Sequence, residues 1–106
     1  MVVRFDIWWT DLDPVRGSEY AKTRPCVVVS PAELNESLKT VVVMPMTTVS
    51  RSWPFRLPVL LEGQVGQVCV DQIRVIDKSR LKSKAGSLDE GQAARLRHLI
   101  KEMYVD

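Results

Sequence analysis

From Asp6 to Ile76 the chain reads as six short β-rich runs separated by turns, with no crossover helix between any two of them. That pattern restricts the fold to an antiparallel barrel or sandwich. The first run, Asp6–Leu12, is rich in strand formers and ends at the turn signal Asp13-Pro14. The second, Arg24–Ser30, contains the unbroken Cys26-Val27-Val28-Val29 of a strand buried on both faces, and Pro31 ends it. One helical turn is predicted over Ala32–Ser37, then strands over Thr40–Thr47, Phe55–Leu61, Val65–Val70 and Ile73–Ile76. Pro58 marks an edge strand or a bulge, and Glu62-Gly63-Gln64 a tight turn. The end of the chain changes character. Ser87-Leu88-Asp89-Glu90 has the form of a capping box, and Leu88, Leu96, Leu99, Ile100 and Met103 recur at helical spacing. A helix reaching Tyr104 and lying on the barrel is therefore predicted.

The whole is a mainly β (α+β) domain spanning residues 1–106, large enough to bury roughly two thirds of its unfolded surface. A net charge of +2 is too small to mark a nucleic-acid binder by itself, so any basic surface must be local. Cys26 and Cys69 both sit in valine-rich strand candidates and read as buried thiols rather than as a disulfide. His98, the single histidine, lies on the terminal helix and reads as solvated. Zinc spacing, a histidine-dependent hydrolase triad and a glycine-rich phosphate loop are all lacking, so neither a metal nor a nucleotide cofactor is expected. No signal peptide and no apolar run near the ~20 residues of a membrane helix is found, and the expected location is the cytoplasm.

The connection Asp13–Thr23 is long for a small domain and carries Gly17, Ser18 and Glu19; Gly17 is expected at positive φ. If the second and third strands are antiparallel neighbours with Ser30 near Val41, Arg24 falls opposite Thr47, and the loop overhangs the same rim. Arginine supplies a permanent planar fork for phosphate oxygens, and hydroxyls supply neutral donors for a developing oxyanion. RNA brings its own nucleophile, the 2′-hydroxyl, so such a set suffices without a metal. Arg24 is the charge stabiliser in this reading, with Glu19 or Arg24 as base. The plain alternative is a surface salt bridge beside two β-forming threonines. Arg74, Lys78, Arg80, Lys82 and Lys84 form either a phosphate track or a solvated face. Trp53 can stack on an unpaired base, while Trp8 and Trp9 read as core or dimer-interface residues.

The succession Asp6-Ile7-Trp8-Trp9, Asp11-Leu12-Asp13-Pro14, Gly17-Ser18-Glu19, Arg24-Pro25-Cys26-Val27-Val28-Val29-Ser30-Pro31, Pro45-Met46-Thr47-Thr48 and Asp71-Gln72-Ile73-Arg74, followed by Asp77 and Arg80-Leu81, resembles the MazF/PemK (Kid) toxins of bacterial toxin–antitoxin systems. The resemblance implies a small SH3-like antiparallel barrel of about six strands with a C-terminal helix, assembled as a homodimer. It implies metal-independent cleavage of single-stranded RNA at short motifs, leaving a 2′,3′-cyclic phosphate or 3′-phosphate and a 5′-hydroxyl. The family's catalytic arginine, threonine and loop glutamate fall on Arg24, Thr47 and Glu19. Ser18, Thr48, Ser50, Trp53, Gln72, Arg74 and Arg80 are the candidate RNA contacts. A cognate antitoxin with an acidic, partly disordered tail is the implied partner. The chain departs from the family pattern at Phe5 and Lys22, where glycine is usual, and at Tyr20, where glutamine is usual. A gyrase-poisoning toxin resembling CcdB is the other class on such a fold, but its terminal tryptophan motif is missing from Met103-Tyr104-Val105-Asp106. A binding module without turnover is the third.

Overall fold

The computed structural model describes all residues, 1–106. Seven strands and two helices follow in the order β1 (Asp6–Asp11), β2 (Thr23–Val28), α1 (Ala32–Ser37), β3 (Thr40–Thr47), β4 (Arg56–Leu61), β5 (Gln64–Cys69), β6 (Arg74–Asp77), β7 (Leu81–Ser87) and α2 (Glu90–Tyr104). Short 3-10 turns cover Val70–Gln72 and Lys78–Arg80.

The strands run β4-β5-β3-β2-β1-β7, and β6 also pairs with β3. Strand β3 organises this arrangement. One of its edges pairs with β2, while the other is divided between β6 at Thr40–Val43 and β5 at Met46–Thr47. Dividing one edge between two partners bends the sheet into a half-barrel. From Cys26 to Val28 strand β2 is apolar because both its faces are covered there. Val27 joins the larger core of Ile7, Met44, Leu57, Val68 and Leu96, whereas Cys26 and Val28 join a second core with Leu12, Val41, Val43 and Ile76. Burial of both strand faces is what an unbroken apolar run requires.

The sequence reading misses one strand. Leu81–Ser87, with lysines at alternate positions, pairs with β1 as β7 and completes a seven-stranded sheet rather than one of six. Its lysines hid the pattern because they line the solvent face of an edge strand, where charge discourages further pairing. The same strand displaces the expected cap. Ser87 is paired with Asp6, so the helix is capped two residues later by a box in which Asp89 accepts from Gln92 N at 2.7 Å and Gln92 Oε1 accepts from Asp89 N at 2.9 Å. Leu96 and Ala93 bury the helix against the sheet, and the Tyr104 hydroxyl donates to Val70 O at 2.6 Å to fix its end. Met103, predicted on the buried stripe, is 39% exposed. Pro58 does lie on an edge strand, and both cysteines are buried and unpaired.

Candidate active site

The β2–β3 ladder pairs Cys26 with Pro45, Val27 with Met44 and Val28 with Val43, the register anticipated from the sequence. Continued by two residues, it sets Arg24 opposite Thr47. Side chains alternate along a strand, so Arg24 lies on the same face as Cys26 and Val28, at the open end of the second core. There a cleft of about 330 Å³ is walled by Trp9, Lys22 and Arg24 on one side, Thr47 and Thr48 on another, and Leu61, Glu62 and Gln64 from the β4–β5 turn. Gly66 lets β5 approach closely. A Cβ there would stand 3.3 Å from both Met46 Cε and Thr47 O.

Arg24 is half-buried, and its Nε donates to Ala21 O at 3.1 Å. Neither terminal nitrogen has a protein partner, and the three ion pairs of the chain all lie elsewhere. The fork is thus presented to the cleft with its charge uncompensated. Thr47 is buried, 6% exposed, and its Oγ1 accepts from Val49 N at 3.2 Å. A hydroxyl has one proton and two lone pairs, so an amide held on a lone pair leaves the proton free to donate into the cleft.

The loop that leads into β2 is tied down from both ends. Gly17 has φ +58, and Lys22, at φ +67, donates its N–H to Asp13 Oδ1 at 3.0 Å while its carbonyl accepts from Leu12 N at 2.9 Å. Arg80 Nη1 donates to the carbonyls of Asp11 and Asp13, fastening the loop's start. Glu19 does not line the cleft. Its Oε1 accepts from Arg16 N at 2.6 Å, and its own N–H donates to Arg16 O. The carboxylate that does line the wall is Glu62, which sequence reasoning placed in a turn and went no further. Glu62 and Gly63, at φ +51 and +80, form the primed turn that suits a hairpin's twist.

The remaining candidates scatter. Ser18 and Ser50 are exposed, Trp53 is 45% exposed and Gln72 is half-buried, and of the remaining candidates only the exposed Thr48 lines the cleft. The basic run is engaged mostly within the protein: Lys78 donates to Asn35 O, Lys84 pairs with Asp6 at 3.3 Å, and Arg74 has a buried Nη1 with no partner. These fastenings, with Arg80's, leave no continuous row of free cations.

Behind the cleft lies a polar cluster that the sequence did not suggest. Arg56 is buried at the start of β4, with its Nε donating to Asp71 Oδ1 at 3.1 Å and its Nη2 to the Tyr20 hydroxyl at 3.1 Å. Burial alone would lower the Arg56 pKa, but the Asp71 carboxylate together with Cys69 and Tyr20 outweighs it and the net shift is upward. Burial raises the Tyr20 phenol, helped by the Cys69 thiol beside it. Burial likewise pushes Cys26 up to about 12.

The family model described as PemK-like, MazF-like toxin of type II toxin-antitoxin system matches residues 3–104. The chain belongs to this family. Endoribonuclease toxin MazF of Escherichia coli K12 is 38% identical over 86 residues, covering 78% of this chain and 76% of that protein. Endoribonuclease MazF9 of Mycobacterium tuberculosis is 34% identical over 113 residues, covering 95% of this chain and 94% of that protein. The crystal structure of MazF from Deinococcus radiodurans superposes with a TM-score of 0.86 at 24% identity, covering 96% of this chain and 94% of that one, and so shares the fold. Two of the three departures from the MazF/PemK pattern now have a physical reading. Phe5 and Lys22 stand where the family favours glycine, and both have left-handed backbones, φ +72 and +67.

Proposed function

We propose that this protein is a toxin endoribonuclease, an mRNA interferase that cuts single-stranded RNA at short sequence motifs. The observation that carries the reading is the Arg24 fork, open at both terminal nitrogens, beside a Thr47 hydroxyl whose proton is free, in an accessible cleft. Arg24 grips two non-bridging oxygens of one phosphodiester and offsets the charge that grows on them, and Thr47 donates to one of the same oxygens. The ribose 2′-oxygen attacks phosphorus, the bond from phosphorus to the 5′-oxygen breaks, and the products are a 5′-hydroxyl and a 2′,3′-cyclic phosphate, which water can open to a 3′-phosphate by breaking the bond from phosphorus to the 2′-oxygen. The 2′-proton passes to a rim carboxylate and a proton is returned to the departing 5′-oxygen. Glu62 stands at the wall for this exchange, whereas Glu19 is held outside it by the bond its Oε1 accepts from Arg16 N. No three His, Cys, Asp or Glu side chains converge to hold a metal, and none is needed where the nucleophile belongs to the substrate.

Lys22 and the exposed Ser18, Thr48, Ser50 and Trp53 are the contacts that select the RNA motif. The reading includes a homodimer in the cytoplasm, supported by Leu60 and Val65, paired across the β4–β5 hairpin and 65% and 60% exposed. No helix is long and apolar enough to cross a membrane. A cognate antitoxin with an acidic tail completes it, since such a tail competes with RNA for Arg24 and Lys22. Sequencing the ends produced from a mixed transcript tests the proposal. Cuts at one short motif with 5′-hydroxyl and cyclic-phosphate ends support it. Binding without cuts would support a module on the same fold instead.

A further inference from the structure

Tyr20 occupies a position between the catalytic candidates and the body of the sheet, and its contacts form a chain. Asp71, in the 3-10 turn Val70–Gln72, accepts from Arg56 Nε at 3.1 Å. Arg56 Nη2 donates to the Tyr20 hydroxyl at 3.1 Å. The Tyr20 ring then lies 4.6 Å from the guanidinium carbon of Arg24. Arg56 is held from its other side by the Trp53 ring, 4.6 Å away, and is itself only 7% exposed.

The chemistry of these contacts suits one task. An arginine side chain has several rotatable bonds, and Arg24 is otherwise tied only by its Nε to Ala21 O, three residues away on the same loop. A carboxylate would fix it, but would also cap its donors and cancel its charge. An aromatic face fixes the plane of the guanidinium and uses none of its N–H groups. The ring in turn needs an anchor outside the loop, and a phenol can reach one where a phenylalanine cannot. Arg56 and Asp71 supply it from regular structure.

We propose that Tyr20 is the positioning residue of Arg24, transmitting the rigidity of the Arg56–Asp71 pair to the guanidinium while leaving both of its terminal nitrogens open for phosphate. The proposal rests on the reading of the cleft as a phosphodiester site. It also gives the third departure from the family pattern a contact in this chain, the bond that the Tyr20 hydroxyl accepts from Arg56 Nη2.

The test compares Tyr20→Leu, which removes the ring, and Tyr20→Phe, which removes only the anchor, with the parent chain and with both changes made in Arg24→Ala. Folding is checked by melting, and two readouts follow: single-turnover cleavage of a saturating RNA, and the order parameter of the Arg24 Nε–H group by nitrogen-15 relaxation. Positioning predicts that Tyr20→Leu lowers the rate roughly tenfold or more with RNA affinity within about twofold, and that Tyr20→Phe falls between. It predicts that the Arg24 Nε–H becomes more mobile in both variants. In the Arg24→Ala background the same changes alter the residual rate by less than about twofold. An equal loss in both backgrounds, or an unchanged Arg24 order parameter in Tyr20→Leu, overturns the proposal and leaves the cleft reading intact. Full cleavage by Arg24→Ala overturns the cleft reading and this proposal with it.

Discussion

Replacing Thr47 by valine isolates one hydroxyl at almost constant shape. Thr47 is 6% exposed and closes β3 between β2 and β5, so a second γ-methyl fills the space the oxygen leaves. The structural cost is the bond that Oγ1 accepts from Val49 N at 3.2 Å. Val49 is exposed, its amide can turn to water, and the loss of stability should be about 0.5–1.5 kcal/mol. The catalytic cost is larger, because the lost donor faces the oxygens on which charge develops. Removing one such donor is worth about 3 kcal/mol, or roughly two orders of magnitude in rate. Single-turnover cleavage of a fluorogenic RNA, measured beside urea unfolding, separates the two quantities. Thr47→Ser, which restores the hydroxyl, should recover most of the rate. A valine variant within about threefold of the parent, or a serine variant as impaired as valine, would refute the reasoning.

Other expectations concern the scaffold. Lys22 has φ +67, so Lys22→Gly should relieve left-handed strain and stabilise the fold by about 0.5–1 kcal/mol in urea unfolding; destabilisation would show that its side chain holds the loop. Leu96 is fully buried between α2 and the sheet, and Leu96→Ala should cost about 2–5 kcal/mol, a loss below 1 kcal/mol being incompatible with this packing. Cys26 gives a pH dependence. Its thiol keeps its proton up to about 12 when folded, against an ordinary 9.0 when unfolded. The associated stability is complete below pH 9 and is lost as pH rises toward 12, at up to about 1.4 kcal/mol per unit, since there the unfolded chain alone releases the proton. Urea midpoints at pH 8 and 10 should differ accordingly and Cys26→Ala should reduce the difference, the remainder belonging to Cys69 and Tyr20, which burial also shifts upward, whereas a parent chain with no alkaline loss would contradict the burial.

The parts of this protein that could be read from its sequence are those governed by local pattern. Valine runs located β2 and β3, because a strand covered on both faces advertises itself, and the register assumed for the pair, Ser30 near Val41, agrees with the observed ladder. Strand β7 went unseen because alternate lysines on an edge look like a solvated charge run. The cap moved from Ser87 to Asp89 because tertiary pairing claimed the serine first. The meeting of Arg24 and Thr47 at one rim was legible since one stands at the start of β2 and the other at the end of β3, positions the pattern defines. Glu19 and the Tyr20–Arg56–Asp71 chain were not, because they depend on how an eleven-residue loop folds back and on contacts 15 to 36 residues apart. Family resemblance supplied the expected roles but marked Tyr20, Lys22 and Phe5 merely as departures; in the structure the last two have positive φ and the first accepts a bond from Arg56.

The most direct measurement uses one RNA oligonucleotide containing the mapped motif and a copy with a single 2′-deoxy sugar at the scissile position, each incubated with the protein in excess EDTA. The all-ribose strand should be cut and the substituted strand should remain whole. Cutting of both would mean that the nucleophile does not come from the substrate, and cutting that EDTA abolishes would mean that a metal ion performs the charge stabilisation assigned here to Arg24 and Thr47.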